Sequence, residues 1–122
     1  LSNDGLSALG SLETLRRRRD IDELFRNGFR RRGRWLSMVA VHRPTGARRV
    51  LLVTSRKVGG AVVRNRVRRR MREAFRGLRE RLPEHADVAL IASPIASQAS
   101  YSELASEMEA LMRRAGLLGG QG

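Results

Sequence analysis

At 122 residues, with a formal charge of +13 and no cysteine, the chain has room for one domain with a modest core. A disulfide framework and a thiolate metal site are excluded. No apolar run reaches the roughly 18 to 20 residues needed to cross a bilayer, and there is no signal-peptide core, so a cytoplasmic location is expected. Residues 1–82 hold 23 basic and 7 acidic side chains, +16, whereas residues 83–122 hold 2 and 5, −3. A molecule so divided presents one strongly positive surface and is steered toward a polyanion.

In chain order, Asp20 and Glu23 have the spacing of a capping box for a short helix. Ile21, Leu24 and Phe25 are its apolar side, and Gly28 is read as a left-handed terminator. Residues 29–34 are basic and suit a loop or a brief edge strand. Trp35 to His42 and Arg49 to Thr54 are apolar and β-branched, with hairpin-loop chemistry between them at Arg43-Pro44-Thr45-Gly46-Ala47. Val50 to Val53 is apolar on both parities, as a strand covered on two faces should be. Val63, Val67, Met71, Ala74, Leu78 and Leu82 recur at helical steps, predicting one helix of about five turns stopped by Pro83. Val88 to Ile91 reads as another buried strand. Ser100 with Glu103 forms a second capping box, and Leu104, Met108, Leu111 and Met112 line the inner face of a last helix ended by Gly116. The expected class is α+β, a two-layer sandwich of a small, about four-stranded sheet with a long arginine-rich helix and two further helices.

The segment Ser55 to Arg76 carries the chemistry. Gly59-Gly60 precedes a helix whose polar side is almost wholly arginine, with Glu73 as its single acid among eight cations from Arg56 to Arg72. Free backbone N–H groups, a helix N-terminus and a guanidinium stripe together form an anion receptor of nucleic-acid size. A solvated surface helix would mix its signs. Arg64, Arg68, Arg72, Arg76 and Arg79 are expected to point away from the sheet, flanked by Asn65, Arg69 and Arg70. Arginines four apart stand about 6 Å apart along the axis, and their mutual repulsion is relieved by a polyanionic partner. Ser55, Arg56 and Lys57 before the glycines could hold one phosphate, although a plain strand-to-helix turn explains the glycines equally well.

Ser-Arg-Lys-x-Gly at 55–59, Ala-Val at 61–62, Arg-Asn-Arg at 64–66, Arg-Arg at 68–69 and Arg-Glu-x-Phe at 72–75 resemble the signature of the bacterial ribonuclease P protein component. Leu15 to Gly28 is similar to that family's opening basic run and first helix, and Ala96 to Gly116 to its C-terminal helix segment. About 100 of the 122 residues are covered, in the family's order. The resemblance implies a four-stranded sheet with a left-handed βαβ crossover of ribonuclease P protein type. It implies a protein subunit that binds the catalytic RNA and the 5′ leader of precursor tRNA, assisting endonucleolytic removal of the leader. Mg²⁺ and catalysis are then expected in the RNA subunit, with no cofactor bound by the protein alone, and neither membrane nor DNA as a partner.

The resemblance implies RNA contacts at Arg64, Asn65 and Arg66, to which the turn and the charged side of the helix add Arg56, Lys57, Arg68, Arg69, Arg72 and Arg76 as expected RNA-binding residues. The leader cleft would use Phe25, Ile21, Val39, Arg30 and Arg32. Ile21 and Val39 stand where the family usually has aromatics, which shifts the expected contribution from stacking toward shape and toward Arg30, Arg32 and Arg56. Trp35 is expected to be buried. His42 and His85 have no partner motif, and Asp20, Asp22 and Glu23 suit capping and surface roles better than metal binding. No catalytic residue is identified. The rival readings are a non-enzymatic basic ribosomal or architectural RNA-binding protein, and a DNA-binding protein with the arginine helix in a major groove. A glycine turn before one long helix is not a helix-turn-helix, which counts against DNA. The domain boundaries expected are 1–14 as a poorly ordered extension, 15–116 as a single RNA-binding domain and 117–122 as a frayed tail.

Overall fold

A strand that is apolar on both parities has to be covered on both faces, and Ala86–Ala92 is such a strand at the centre of the sheet. In the computed structural model, which describes residues 12–43, 48–82 and 85–117, the elements are β1 (Leu12–Thr14), α1 (Arg18–Asn27), β2 (Phe29–Arg32), β3 (Leu36–His42), β4 (Arg48–Val53), α2 (Ala61–Arg76), β5 (Ala86–Ala92) and α3 (Tyr101–Arg114). The sheet runs β1-β4-β5-β3-β2. β5 is antiparallel to β3 and parallel to β4, so β4-α2-β5 is the βαβ unit. The hairpin expected between β3 and β4 is absent, because β5 lies between them. Pro44 to Ala47, which carry the turn chemistry, and Pro83 lie outside the described residues.

Side chains alternate between the two faces. Met38, Val50, Val88 and Leu90 meet Val67, Met71 and Phe75 of α2 and Leu104 and Met108 of α3 on one face. Val39 and Ala89 meet Leu15 and Leu24 on the other, with Ile21 and Phe25 packed alongside. The expected α+β fold is present, but α1 covers the face opposite α2 and α3, giving a partial third layer in place of two. The sheet gains a fifth strand, since Leu12–Thr14, expected to lack structure, pairs in parallel with β4. Leu15 anchors that strand at 1% exposure.

Caps explain the helix ends. Ser100 Oγ accepts from the Glu103 N–H at 3.1 Å and Glu103 Oε1 accepts from the Ser100 N–H at 2.8 Å, completing the box at the start of α3. At its other end Gly116 takes φ 72°, and the Leu117 N–H donates to Met112 O at 2.8 Å. That is a Schellman cap. It buries Leu117, so the frayed tail does not begin there.

α1 departs from its expected caps. It starts at Arg18 without a side-chain cap, while Asp20 Oδ2 accepts from Arg49 Nη1 at 2.9 Å. Gly28 is extended at φ −73°, not left-handed. Glycine is needed there for space, because a Cβ would lie 2.5 Å from Leu24 O and from Val39 Cγ1.

α2 ends at Arg76, a turn and a half before Leu82. Beyond Gly77 the chain tightens into i→i−3 bonds from Leu78, Arg81 and Leu82. Glycine weakens helix continuation, and Arg48 Nη1 takes the Arg79 carbonyl at 2.9 Å. Leu78 and Leu82 remain buried even so.

Candidate nucleic-acid interface

The turn entering α2 is built for close backbone approach. Ser55 Oγ accepts from the Lys57 N–H at 3.3 Å and starts a 3-10 turn over Arg56–Val58, leaving Arg56 and Lys57 exposed and Val58 buried. Gly59 sits at φ 151°, where an added Cβ would also press on Val63 at 2.9 Å. Gly60 is exposed and caps α2 without a side chain, so no capping side chain covers the first-turn N–H groups at the positive end of the helix dipole.

The outward side of α2 is rotated from the expected stripe. Met71 and Phe75 are both fully buried, which widens the inward face toward Arg64, Arg68 and Arg72. Those three are half-buried, and Arg68 is tied by Nη2 to Thr54 Oγ1 at 2.6 Å and by Nη1 to Asn65 Oδ1 at 3.0 Å. The exposed line is Asn65, Arg66, Arg69, Glu73 and Arg76, with Val62 at 78% exposure at its head. Arg70 turns the other way and donates to Ala99 O at 2.8 Å. Arg79 is half-buried and donates to Arg76 O at 2.6 Å, closing the helix end rather than extending the ridge. Thus Arg66, Arg69 and Arg76 stand exposed along one side of α2, with Arg64, Arg68 and Arg72 half-buried beside them and Arg68 held in place.

The described acids of the C-terminal third are engaged away from this ridge. Among them, Glu103 caps α3 and Glu109 pairs with Arg81 at 3.4 Å and Arg113 at 2.7 Å. Glu107 accepts the backbone N–H groups of Arg34, Trp35 and Leu36 at 2.9, 2.6 and 2.6 Å. Asp87 meets Arg43 at 3.0 Å and Arg49 at 2.8 Å. The ridge's own acid, Glu73, reaches only Arg76, at 3.5 Å.

On the opposite face, α1 and β2 border the expected cleft. Phe25 and Ile21 are half-buried against the minor core. Arg30 lies with its Cζ 5.7 Å from the Phe25 ring centroid and donates to the Phe25 carbonyl. Arg30, Arg31, Arg32, Ser37, Met38 and Val39 line a depression of about 200 Å³ where β2 meets β3. Val39 is 1% exposed, so it forms the floor and presents no stacking surface. Phe25 and Ile21 do not line this depression, and Phe25 adjoins it only through Arg30.

Sequence reasoning missed the Asp20–Arg49–Asp87–Arg43 network at the far end of this face. Asp87, 3% exposed, takes Arg49 Nε and Nη2 at 2.9 and 2.8 Å. The hydrogen bond to Asp87 raises the Arg49 guanidinium above its ordinary pKa despite partial burial, with Asp20 adding to the effect. Arg49 and Asp87 are cross-strand partners, a signal that register alone reveals. Asp22 sits 3.7 Å from Arg18. Among the described residues no three His, Asp or Glu side chains come together as metal ligands. His42 is exposed at the end of β3, and His85 is half-buried beside β5.

Comparison with known proteins agrees with the geometry. The family model for Ribonuclease P matches residues 9–116. The chain is 41% identical over 118 residues to the ribonuclease P protein component of Thermus scotoductus, covering 97% of this chain and 69% of that protein. It is 43% identical over 93 residues to that of Thermus aquaticus, covering 76% of this chain and 54% of the relative. It thus spans about half to two thirds of these proteins' length. The RNase P protein from Thermotoga maritima superposes with a TM-score of 0.73 at 25% identity, over 83% of this chain and 96% of that one. With the Ser55 to Phe75 motif folded into a glycine turn and an exposed arginine helix inside that matched region, the chain belongs to the Ribonuclease P protein family.

Proposed function

We propose that this chain is the protein subunit of a ribonuclease P ribonucleoprotein. It binds the catalytic RNA through the exposed side of α2 and the 5′ leader of precursor tRNA through the cleft between α1 and β2. The observation that carries this reading is the exposed ridge of Arg66, Arg69 and Arg76, in which the one acid on the same side of α2 is Glu73, 3.5 Å from Arg76. Its contribution is electrostatic. Guanidinium forks take phosphate oxygens bidentately, Asn65 adds a donor and acceptor for the folded RNA, and Arg56 and Lys57 bring charge to the helix N-terminus.

The overall step is hydrolysis of one phosphodiester, leaving the 5′-phosphate on the mature tRNA. Two-metal activation of water and stabilisation of the leaving oxygen would require clustered carboxylates if the protein supplied the site. The described carboxylates do not cluster, Asp20 being drawn to Arg49 and Asp22 to Arg18. The resemblance to the family assigns the metal chemistry to the RNA, and in this reading the chain positions substrate by holding the leader on Phe25, Arg30 and Arg32.

The test is reconstitution of the protein with ribonuclease P RNA and precursor tRNA at low Mg²⁺. Accelerated leader release is expected, and Arg64→Ala with Arg66→Ala should weaken binding to the RNA subunit. Phe25→Ala should mainly reduce the preference for precursor over mature tRNA. A protein that binds the RNA yet leaves cleavage unchanged would instead fit the architectural reading.

A further inference from the structure

We propose that the outer side of β2, Phe29 with Arg31, is a second stacking site for single-stranded RNA, on the face opposite the cleft. Among the described strands β2 pairs only with β3, so its other edge is open. Register places Arg30 and Arg32 opposite Val39 and Ser37 on the cleft face, and Phe29 and Arg31 opposite Ala40 and Met38 on the other. All four β2 side chains are exposed. Phe29 keeps 45% of its surface in water, and the Arg31 guanidinium lies 4.0 Å from its ring centroid. A guanidinium stacked on a ring is already flat and ordered, and its second face can take a base with little further loss of freedom.

Charge selects the occupant. Arg30, Arg31, Arg32 and Arg34 follow one another with no acid among them. Such an edge repels a second copy of itself, as basic edge strands do in natural sheets. One exposed ring is also too little for a lipid surface. A polyanion with unpaired flat bases answers both features, its phosphates meeting the arginines and a base meeting the ring. A strand leaving the cleft over Arg30 and Arg32 has only to cross the sheet edge to reach Phe29. In the setting of the proposed function that strand is the distal part of the leader, although the stacking chemistry stands without it.

The experiment is fluorescence anisotropy of the full chain with a labelled oligouridylate of about ten nucleotides, titrated across a range of salt. Phe29→Ala should weaken binding by about fivefold to a hundredfold while leaving the salt slope unchanged, since no charge is removed. Phe29→Tyr should restore affinity, and Arg31→Ala should lower the slope by about 0.7. Wild-type affinity in Phe29→Ala overturns the site. So does a Phe29-dependent change in sedimentation without a change in RNA affinity, which would make this a protein contact. Phe25→Ala in the same assay separates the two surfaces: if it is silent while Phe29→Ala is not, the cleft reading fails and the edge stands.

Discussion

Glu107 does more for this fold than its sequence context suggests. On α3 it reads as one more surface acid, yet it accepts three consecutive backbone N–H groups more than 70 residues away. Gly33 makes room for it, because a Cβ there would lie 2.5 Å from the Glu107 carboxylate. Glu107→Ala leaves those donors unpaired and should cost about 2–4 kcal/mol, read by urea unfolding. Asp87→Asn should cost about 3–5 kcal/mol by the same measurement, because it leaves the Arg43 and Arg49 charges against a neutral amide. A raised guanidinium pKa contributes stability that is complete below the ordinary arginine range and lost only as pH climbs past it. Unfolding free energy should therefore show no loss from Arg49 up to about pH 10. None of these partners was legible from spacing, since each joins elements distant in the chain.

The helices were the most legible elements, and their ends the least. Periodicity marks the buried side of α2 through Val67, Met71 and Ala74. It misjudged the outward side because Phe75 also turns in and draws the apolar face toward Arg64, Arg68 and Arg72. The Ser100–Glu103 box was readable because both of its bonds are local. Gly28 and Gly77 look alike in sequence but behave oppositely. Gly28→Ala should destabilise strongly, through its clash with Leu24 O and Val39. Gly77 sits in helical geometry, where a Cβ would meet only Ala74 O at 3.7 Å. Gly77→Ala should stabilise by about 0.5–1 kcal/mol, seen as a raised melting temperature, with the RNA-facing residues untouched.

Over the whole molecule, the sheet order is what local reading could not supply. Turn chemistry at 43–47 suggested a hairpin, but β5, buried at six of its seven positions, takes the place between β3 and β4. That order puts α2 on one face and the α1–β2 cleft on the other. Charge segregation was legible from the start, and the structure adds its cause: the described acids of the C-terminal third are engaged in caps, turns and strand pairs away from α2. The central claim, that α2 lies on RNA through its free arginines, is tested most directly by the salt dependence of affinity for ribonuclease P RNA. Wild-type protein should show a steep fall of log K with log salt, and Arg66→Ala with Arg69→Ala should flatten that slope by roughly 0.9 for each phosphate contact removed. A double variant that keeps both the affinity and the full slope would contradict it.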